Sequence, residues 1–343
     1  MTVALDVGSY RMKSLRLEKD RLVVRRGRSL YAILPATVSQ RKLLERAGIP
    51  FASCDGQLLL MGDPAAELSE LFQTPAAPLL PKVHLPSGSP AGRQVLAAMI
   101  ESLVPRSNKP GEPCGLILPC GREHGEHLEA EFLTRVVKLQ GYRPIVVPAG
   151  TALVLSELVG EQFTGLGIVC GASQTHVSLT HLGQTAAEGT LRMGGDVLDL
   201  RLAERTNAQA FDHDGQRYWD THRIAQQREN DYGSVLAPAT DFECQLADEC
   251  ERYCDAILHL LTAKLDRNVR LHELPKSVVA VCGGGLSRLP GFVEMLGRKL
   301  QAAAFPIGIS QVRQAEPADE TLVRGALIRT MLEADCGMMA NAA

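Results

Sequence analysis

Residues 4–17 read ALDVGSYRMKSLRL, and residues 167–183 read GIVCGASQTHVSLTHLG. Each is an apolar strand, a turn containing glycine, and a second strand with alternating side chains. In the first, the predicted strands are 3–7 and 13–17, joined at Gly8-Ser9-Tyr10. In the second they are 167–171 and 175–182, joined at Ala172-Ser173-Gln174. A third strand follows each hairpin, at 21–26 and at 185–193. The unit recurs after about 160 residues, too long for a solenoid period, and predicts two similar α/β domains.

The chain of 343 residues is long enough for two domains with sizeable cores. With 45% hydrophobic and 22% charged residues, its composition is that of a soluble globular protein. A formal net charge of -3 argues against a dedicated nucleic-acid binder. The N-terminal stretch MTVALDVGSYRMKSL does not read as a secretory signal, and no run of about 18 apolar residues reads as a membrane span. Nine cysteines, without a C-x-x-C pair, fit a reduced cytoplasmic protein.

Between the hairpins, residues 30–92 read as a small irregular subdomain, followed by a helix at 92–103. A strand (114–119), a helix (123–140), a strand (144–148) and a helix (149–159) come next. After the second hairpin, Gly194-Gly195-Asp196 opens a helix at 197–205, and 206–240 is polar and irregular. A long helix (241–265), a strand (277–285) and helices at 290–303 and 319–332 complete the reading. The eight basic and two acidic residues of 11–28 read as the solvent face of strands, with an anionic surface or filament contact as the alternative.

Three glycine turns end apolar strands: Asp6-Val7-Gly8-Ser9-Tyr10, Gly171-Ala172-Ser173 and Gly283-Gly284-Gly285. Such turns aim backbone N–H groups outward and let a phosphate approach closely. A lone glycine after a strand is ordinarily only a turn. Taken in order, they resemble a larger pattern. ALDVGSYRMKSLRL and GIVCGASQTHVSLTHLG resemble the two phosphate hairpins of the actin, sugar-kinase and heat-shock-chaperone superfamily. VVAVCGGGLSRLPGF (278–292) resembles its adenosine motif. VPAGTALVLSELVG (147–160) and ADETLVRGALI (318–328) resemble its two connecting helices. LILPCG (116–121) and LRMGGDVLDLRLAE (191–204) are most similar to bacterial actin homologues of the MreB rod-shape type.

The resemblance implies the actin-like fold: two RNase H-like α/β domains around a nucleotide cleft, each with a smaller inserted subdomain. Domain I would be 1–147 plus 320–343, with its subdomain at about 30–92; domain II would be 148–319, with its subdomain at about 206–262. It implies ATP or ADP with magnesium as cofactor. Asp6 would orient water on the metal, Gly8, Ser9 and Tyr10 would face the β-phosphate, and Lys13 would supply a point charge. Gly171, Ala172 and Ser173 would form the opposing phosphate turn, with His176 ordering water near the γ-phosphate. Gly194 and Gly195 would approach the ribose, and Gly283, Gly284 and Gly285 the adenosine and its α-phosphate. Taken residue by residue, Asp6 also reads as a turn cap, Lys13 as a strand-face cation, and His176 as an ordinary strand residue.

Two positions depart from the family pattern. Val169 stands where the second hairpin carries an aspartate, and Val147 where a glutamate or glutamine positions the attacking water. A valine can neither donate nor accept a hydrogen bond, so weak or absent ATP hydrolysis is expected. The resemblance further implies self-association into protofilaments, partners at the inner membrane, and a cytoplasmic or peripheral inner-membrane location, while the net charge leaves no nucleic acid expected. Two readings stand beside that of a nucleotide-linked cell-shape protein: a non-hydrolysing scaffold of a pilus or division assembly, and a small-molecule kinase. Asp212-His213-Asp214-Gly215 lacks the further oxygen ligands of a calcium loop. Cys250 and Cys254 lie with Ile257, Leu258 and Leu261 on an apolar stripe that reads as core, not as a zinc site with His259.

Overall fold

The computed structural model describes the chain except residues 1, 70, 73, 75, 82–83, 86–89, 120–126, 212–214, 231–232, 266–273, 317–319 and 341–343. Its described residues divide into two compact units, one within 2–146 together with 330–340, the other within 147–329.

In the first unit, β1 (Thr2–Val7), β2 (Arg11–Glu18) and β3 (Arg21–Arg28) form an antiparallel meander. The chain then leaves for a second sheet. β4 (Leu30–Pro35), α1 (Val38–Arg46), β5 (Ala52–Cys54), β6 (Gln57–Met61), α2 (Asp63–Leu68) and β7 (Ala77–Pro78) build it, with strand order β5-β6-β4-β7. This corrects the expectation of an irregular subdomain: two of its strands have only 3 and 2 residues, too few for side-chain alternation to register. After α3 (Pro90–Leu103), β8 (Glu112–Ile117) lies parallel to β1. α4 (His127–Leu139) and β9 (Tyr142–Val146) complete a sheet of order β3-β2-β1-β8-β9. Val3, Leu5 and Val7 point from one face of β1 into a core with Leu96 and Ile100 of α3 and Leu133 and Val137 of α4. Asp6 belongs to the other face.

The second unit repeats this plan. After α5 (Ala149–Glu157) come β10 (Gly165–Cys170), β11 (Thr175–His181) and β12 (Gln184–Leu191), again an antiparallel meander. α6 (Gly195–Arg205), β13 (Gln209–Phe211), β14 (Arg217–Trp219), α7 (Thr221–Asn230) and α8 (Asp241–Leu265) follow. β15 (Ser277–Gly283), α9 (Phe292–Ala302) and β16 (Gly308–Gln314) complete a sheet of order β12-β11-β10-β15-β16. The last helix, α10, spans Thr321–Ala340. The ribbon β13–β14 and α7 correct the expectation that 206–240 is irregular, and β16 was not anticipated from the sequence.

Leu166, Ile168 and Cys170 face a core with Leu198, Leu202, Tyr253, Ile257 and Phe292. Cys250 and Cys254 are buried there as free thiols, whereas His259 is exposed on the far side of α8. On the opposite face of β10, α5 approaches backbone to backbone. A Cβ on Gly167 would sit 2.0 Å from the Gly150 carbonyl oxygen, and one on Gly325 of α10 would sit 1.7 Å from that of Ala152. α5 is buried along most of its length, so any added atom there must displace backbone. Gly167→Ala is therefore expected to cost about 3 kcal/mol, the upper range for overpacking, read as a lowered urea midpoint with the slope retained. An unchanged midpoint would contradict this packing.

Candidate functional site

In the first unit, β1 and β2 are in register with Val7 opposite Met12 and Asp6 opposite Lys13. The turn between them is fixed by sterics, since a Cβ on Gly8 would lie 2.4 Å from the Arg11 carbonyl oxygen. Tyr10 is 50% exposed, with the Arg28 guanidinium 5.1 Å above its ring. Asp6 is 8% exposed, and burial pushes its pKa up to about 6 against the opposing pull of Lys13.

The second unit builds the same turn. Gly171 donates its N–H to the Gln174 carbonyl at 3.0 Å, and a Cβ on it would lie 2.8 Å from that oxygen. In both hairpins a pair of opposed residues flanks the glycine at equal spacing. It is Asp6 and Lys13 in the first, and Val169 and His176 in the second. Charge in one hairpin is thus replaced by apolar and neutral groups in the other. Val169 is 4% exposed and Val147 2% exposed, so both are core residues. His176 has Nδ1 3.3 Å from Thr190 Oγ1, and loss of water around the ring pushes its pKa down to about 4. The ring is neutral near pH 7 and supplies no positive charge.

The start of α6 seals one side of the second turn. Gly195 N–H donates to the Gly171 carbonyl at 3.0 Å, and Asp196 N–H to the Ala172 carbonyl at 2.8 Å. This closeness requires Gly194, whose Cβ would stand 2.4 Å from the Ala172 oxygen. Ser173 Oγ donates to Asp196 Oδ2 at 2.6 Å. With the carbonyls so engaged, the N–H groups of Ala172 and Ser173 have no acceptor among the described residues. Successive free N–H groups at a turn form an anion-binding concavity. Gly284 arrives from β15 with φ +94°, and a Cβ on it would lie 2.3 Å from the Cys170 carbonyl oxygen. Gly283 pairs with Val169, while nothing stands within 4 Å of where a Gly285 Cβ would be. The structure therefore brings Gly171, Ala172, Ser173, Gly194, Gly195, Gly283, Gly284 and Gly285 to one end of one sheet. Asp6, Gly8, Ser9, Tyr10 and Lys13 gather at the equivalent end of the other unit's sheet.

Two polar residues escaped the sequence reading. Gln174 is 6% exposed, and its Oε1 has no hydrogen-bond partner among the described residues. A buried acceptor without a partner is uncommon and calls for a ligand or water. The only sequence signal was a long polar side chain inside the turn. Arg228 of α7 makes a bidentate pair with Asp199 of α6, at 2.8 and 3.1 Å, and places Nη2 3.8 Å from where a Gly195 Cβ would be. Nothing in the spacing of α6 and α7 announces this guanidinium beside the turn.

A phosphate group fits the second turn through the free N–H donors of Ala172 and Ser173 and the close-approach glycines around them. Magnesium fits less well. Asp6 is the one carboxylate among the expected metal-facing positions, and no cluster of three potential metal ligands occurs among the described residues. The residues Asp212, His213 and Asp214, together with Cys120, Gly121 and Asp319, lie outside the described residues.

The raised pKa of Asp6 means that its share of stability is complete below about pH 4 and is lost as pH rises through about 6. Asp6→Asn should therefore stabilise the ligand-free protein at pH 8, by about 1–3 kcal/mol, and leave it little changed at pH 4. An unaltered thermal midpoint at pH 8 would remove the desolvated carboxylate. Gln174→Leu should raise ligand-free stability by about 1 kcal/mol by eliminating a buried unsatisfied acceptor. A loss of stability would mean that Oε1 already has a partner.

The chain has the actin-like fold. It matches the MamK double helical filament over 96% of this chain and 99% of that one, with a TM-score of 0.66 at 17% identity. It matches MreB 5 of Spiroplasma citri bound to AMPPNP over 100% of this chain and 98% of that one, with a TM-score of 0.67 at 12% identity. The same protein bound to ADP matches over 98% of both chains, with a TM-score of 0.65 at 11% identity. No curated protein matches the sequence. Among the described residues no helix is long and apolar enough to cross a membrane. The Volactin family profile covers residues 1–330, nearly the whole chain, and the chain belongs to that family.

Proposed function

We propose that this protein is a divergent actin-like cytoskeletal subunit that binds ATP or ADP and assembles into filaments, with weak or absent hydrolysis. The observation that carries the reading is the second turn, where Ala172 and Ser173 hold free N–H donors between glycines. Phosphate oxygens would take those donors, with Arg228 adding positive charge nearby and Gly285 leaving room for the nucleoside. On the first unit, Ser9 and Lys13 would face phosphate, and Asp6 would orient water on a magnesium ion carried in with the nucleotide. That ion would neutralise phosphate charge. The first domain would comprise 1–147 and 320–343, and the second 148–319.

The neighbours support both halves of this reading: one is a double helical filament, and another was bound to AMPPNP and to ADP. Slow chemistry follows from Val147 and Val169. A buried valine neither holds a hydrated metal nor aligns a water, and loss of one oriented polar group commonly costs about a hundredfold in rate. His176, neutral near pH 7, would act only as a hydrogen-bonding group. Roles in cell shape and at the inner membrane extend the same reading.

The second reading, a non-hydrolysing scaffold, is favoured by the same two valines. Sedimentation and electron microscopy with ATP, ADP or no nucleotide separate the two. Filaments whose amount changes with nucleotide are expected. A monomer at every concentration, with or without nucleotide, would select the scaffold. Phosphate release should stay near background in the native chain and rise in the double variant Val147→Glu with Val169→Asp. Vigorous turnover by the native chain would refute the assignment of those positions.

A further inference from the structure

Ser29 sits between β3 and β4 and is fully buried. Its Oγ donates to the Gly8 carbonyl at 2.6 Å, and its N–H donates to the Tyr10 carbonyl at 2.9 Å. Its own carbonyl accepts from Leu79 N–H of the second sheet at 2.8 Å. One residue later, the Leu30 carbonyl accepts from Gly62 N–H at 2.9 Å. Two further contacts follow the same path. Arg28 stacks over Tyr10, and Arg11 pairs with Asp63, the first residue of α2, at 3.5 Å.

Peptide planarity gives these bonds a direction. The Gly8 carbonyl shares its plane with the Ser9 N–H, and the Tyr10 carbonyl shares its plane with the Arg11 N–H. In a trans peptide the N–H points opposite to the C=O. By holding the Gly8 and Tyr10 carbonyls, Ser29 turns the Ser9 and Arg11 N–H groups to the other side of the turn. A reorientation of either plane must break a bond to Ser29 or move it, and Ser29 carries Leu79 with it.

We propose that Ser29 is the positioning residue of the first phosphate turn, and that it transmits occupancy of that turn to the four-stranded sheet of the same unit. The proposal rests on the nucleotide reading above. Ser29 aims the Ser9 donor at a phosphate oxygen. A bound phosphate tightens the Ser29 bonds, and the tightening reaches Gly62 and Leu79 through single hydrogen bonds. Sequence distance hides the link, because Ser29 lies 21 residues from Gly8.

The test compares hydrogen exchange with and without ATP in the full chain and in Ser29→Ala, beside calorimetric titration of both with ATP. In the native chain, ATP should slow exchange in peptides spanning 57–62 and 77–80. Ser29→Ala should bind ATP about tenfold more weakly and lose that slowing, a response that a purely structural serine would not control. If the native chain binds ATP and those peptides do not respond, the transmission is overturned while nucleotide binding stands. This arm holds even where the variant does not fold. If Ser29→Ala binds like the native chain and keeps the response, Ser29 is not the link. If the native chain binds no ATP, the nucleotide reading falls and the proposal falls with it.

Discussion

The contact between the backbones of α5 and β10 constrains the second unit more tightly than any side chain does. Gly150 and Gly167 meet with no room for a methyl group, and Gly325 of α10 closes on the other side of α5 at Ala152. α5 is thereby held between a sheet and a second helix. Where Gly150 faces Gly167 the two backbones leave no space for a side chain, and Val169 lies on the same face of β10. On the opposite face, Leu166, Ile168 and Cys170 anchor the strand to α6, α8 and α9. A strand gripped on both faces delivers Gly171 and its turn to a fixed place, where α6 and Gly284 can close on it.

The same hairpin in the first unit meets different surroundings. There the position equivalent to Val169 is Asp6, opposite Lys13, and burial raises the carboxyl pKa to about 6. Near neutral pH the protein thus keeps a desolvated carboxylate there, opposed by Lys13. The desolvated carboxyl of Asp6 and the orphaned Oε1 of Gln174 both cost stability in the ligand-free protein. Repetition of the backbone, with divergence of the opposed pair beside the glycine, leaves the same hairpin register in both units and charge in only one.

The hairpins, the glycine turns and the long α8 were legible in the sequence, because period-2 alternation and glycine after a strand are local signals. Edge and ribbon strands were not. β16, GISQVRQ, is half polar and partly exposed, and β5, β7, β13 and β14 are too short to show a period. Site residues divided in the same way. Turn glycines announce themselves, whereas Ser29, Gln174 and Arg228 gain their meaning from partners or vacancies far away in the chain. The sequence also showed that Val147 and Val169 lack polar groups, and the structure buries both.

The most direct test of the account is calorimetric titration of the purified chain with ATP, in the presence and absence of magnesium. Saturable binding that persists without the metal, and strengthens only modestly with it, is the predicted result. It is what free backbone donors beside a guanidinium would provide, with Val169 in place of a second carboxylate. No heat of binding at millimolar ATP would contradict the account, and so would binding that depends wholly on magnesium.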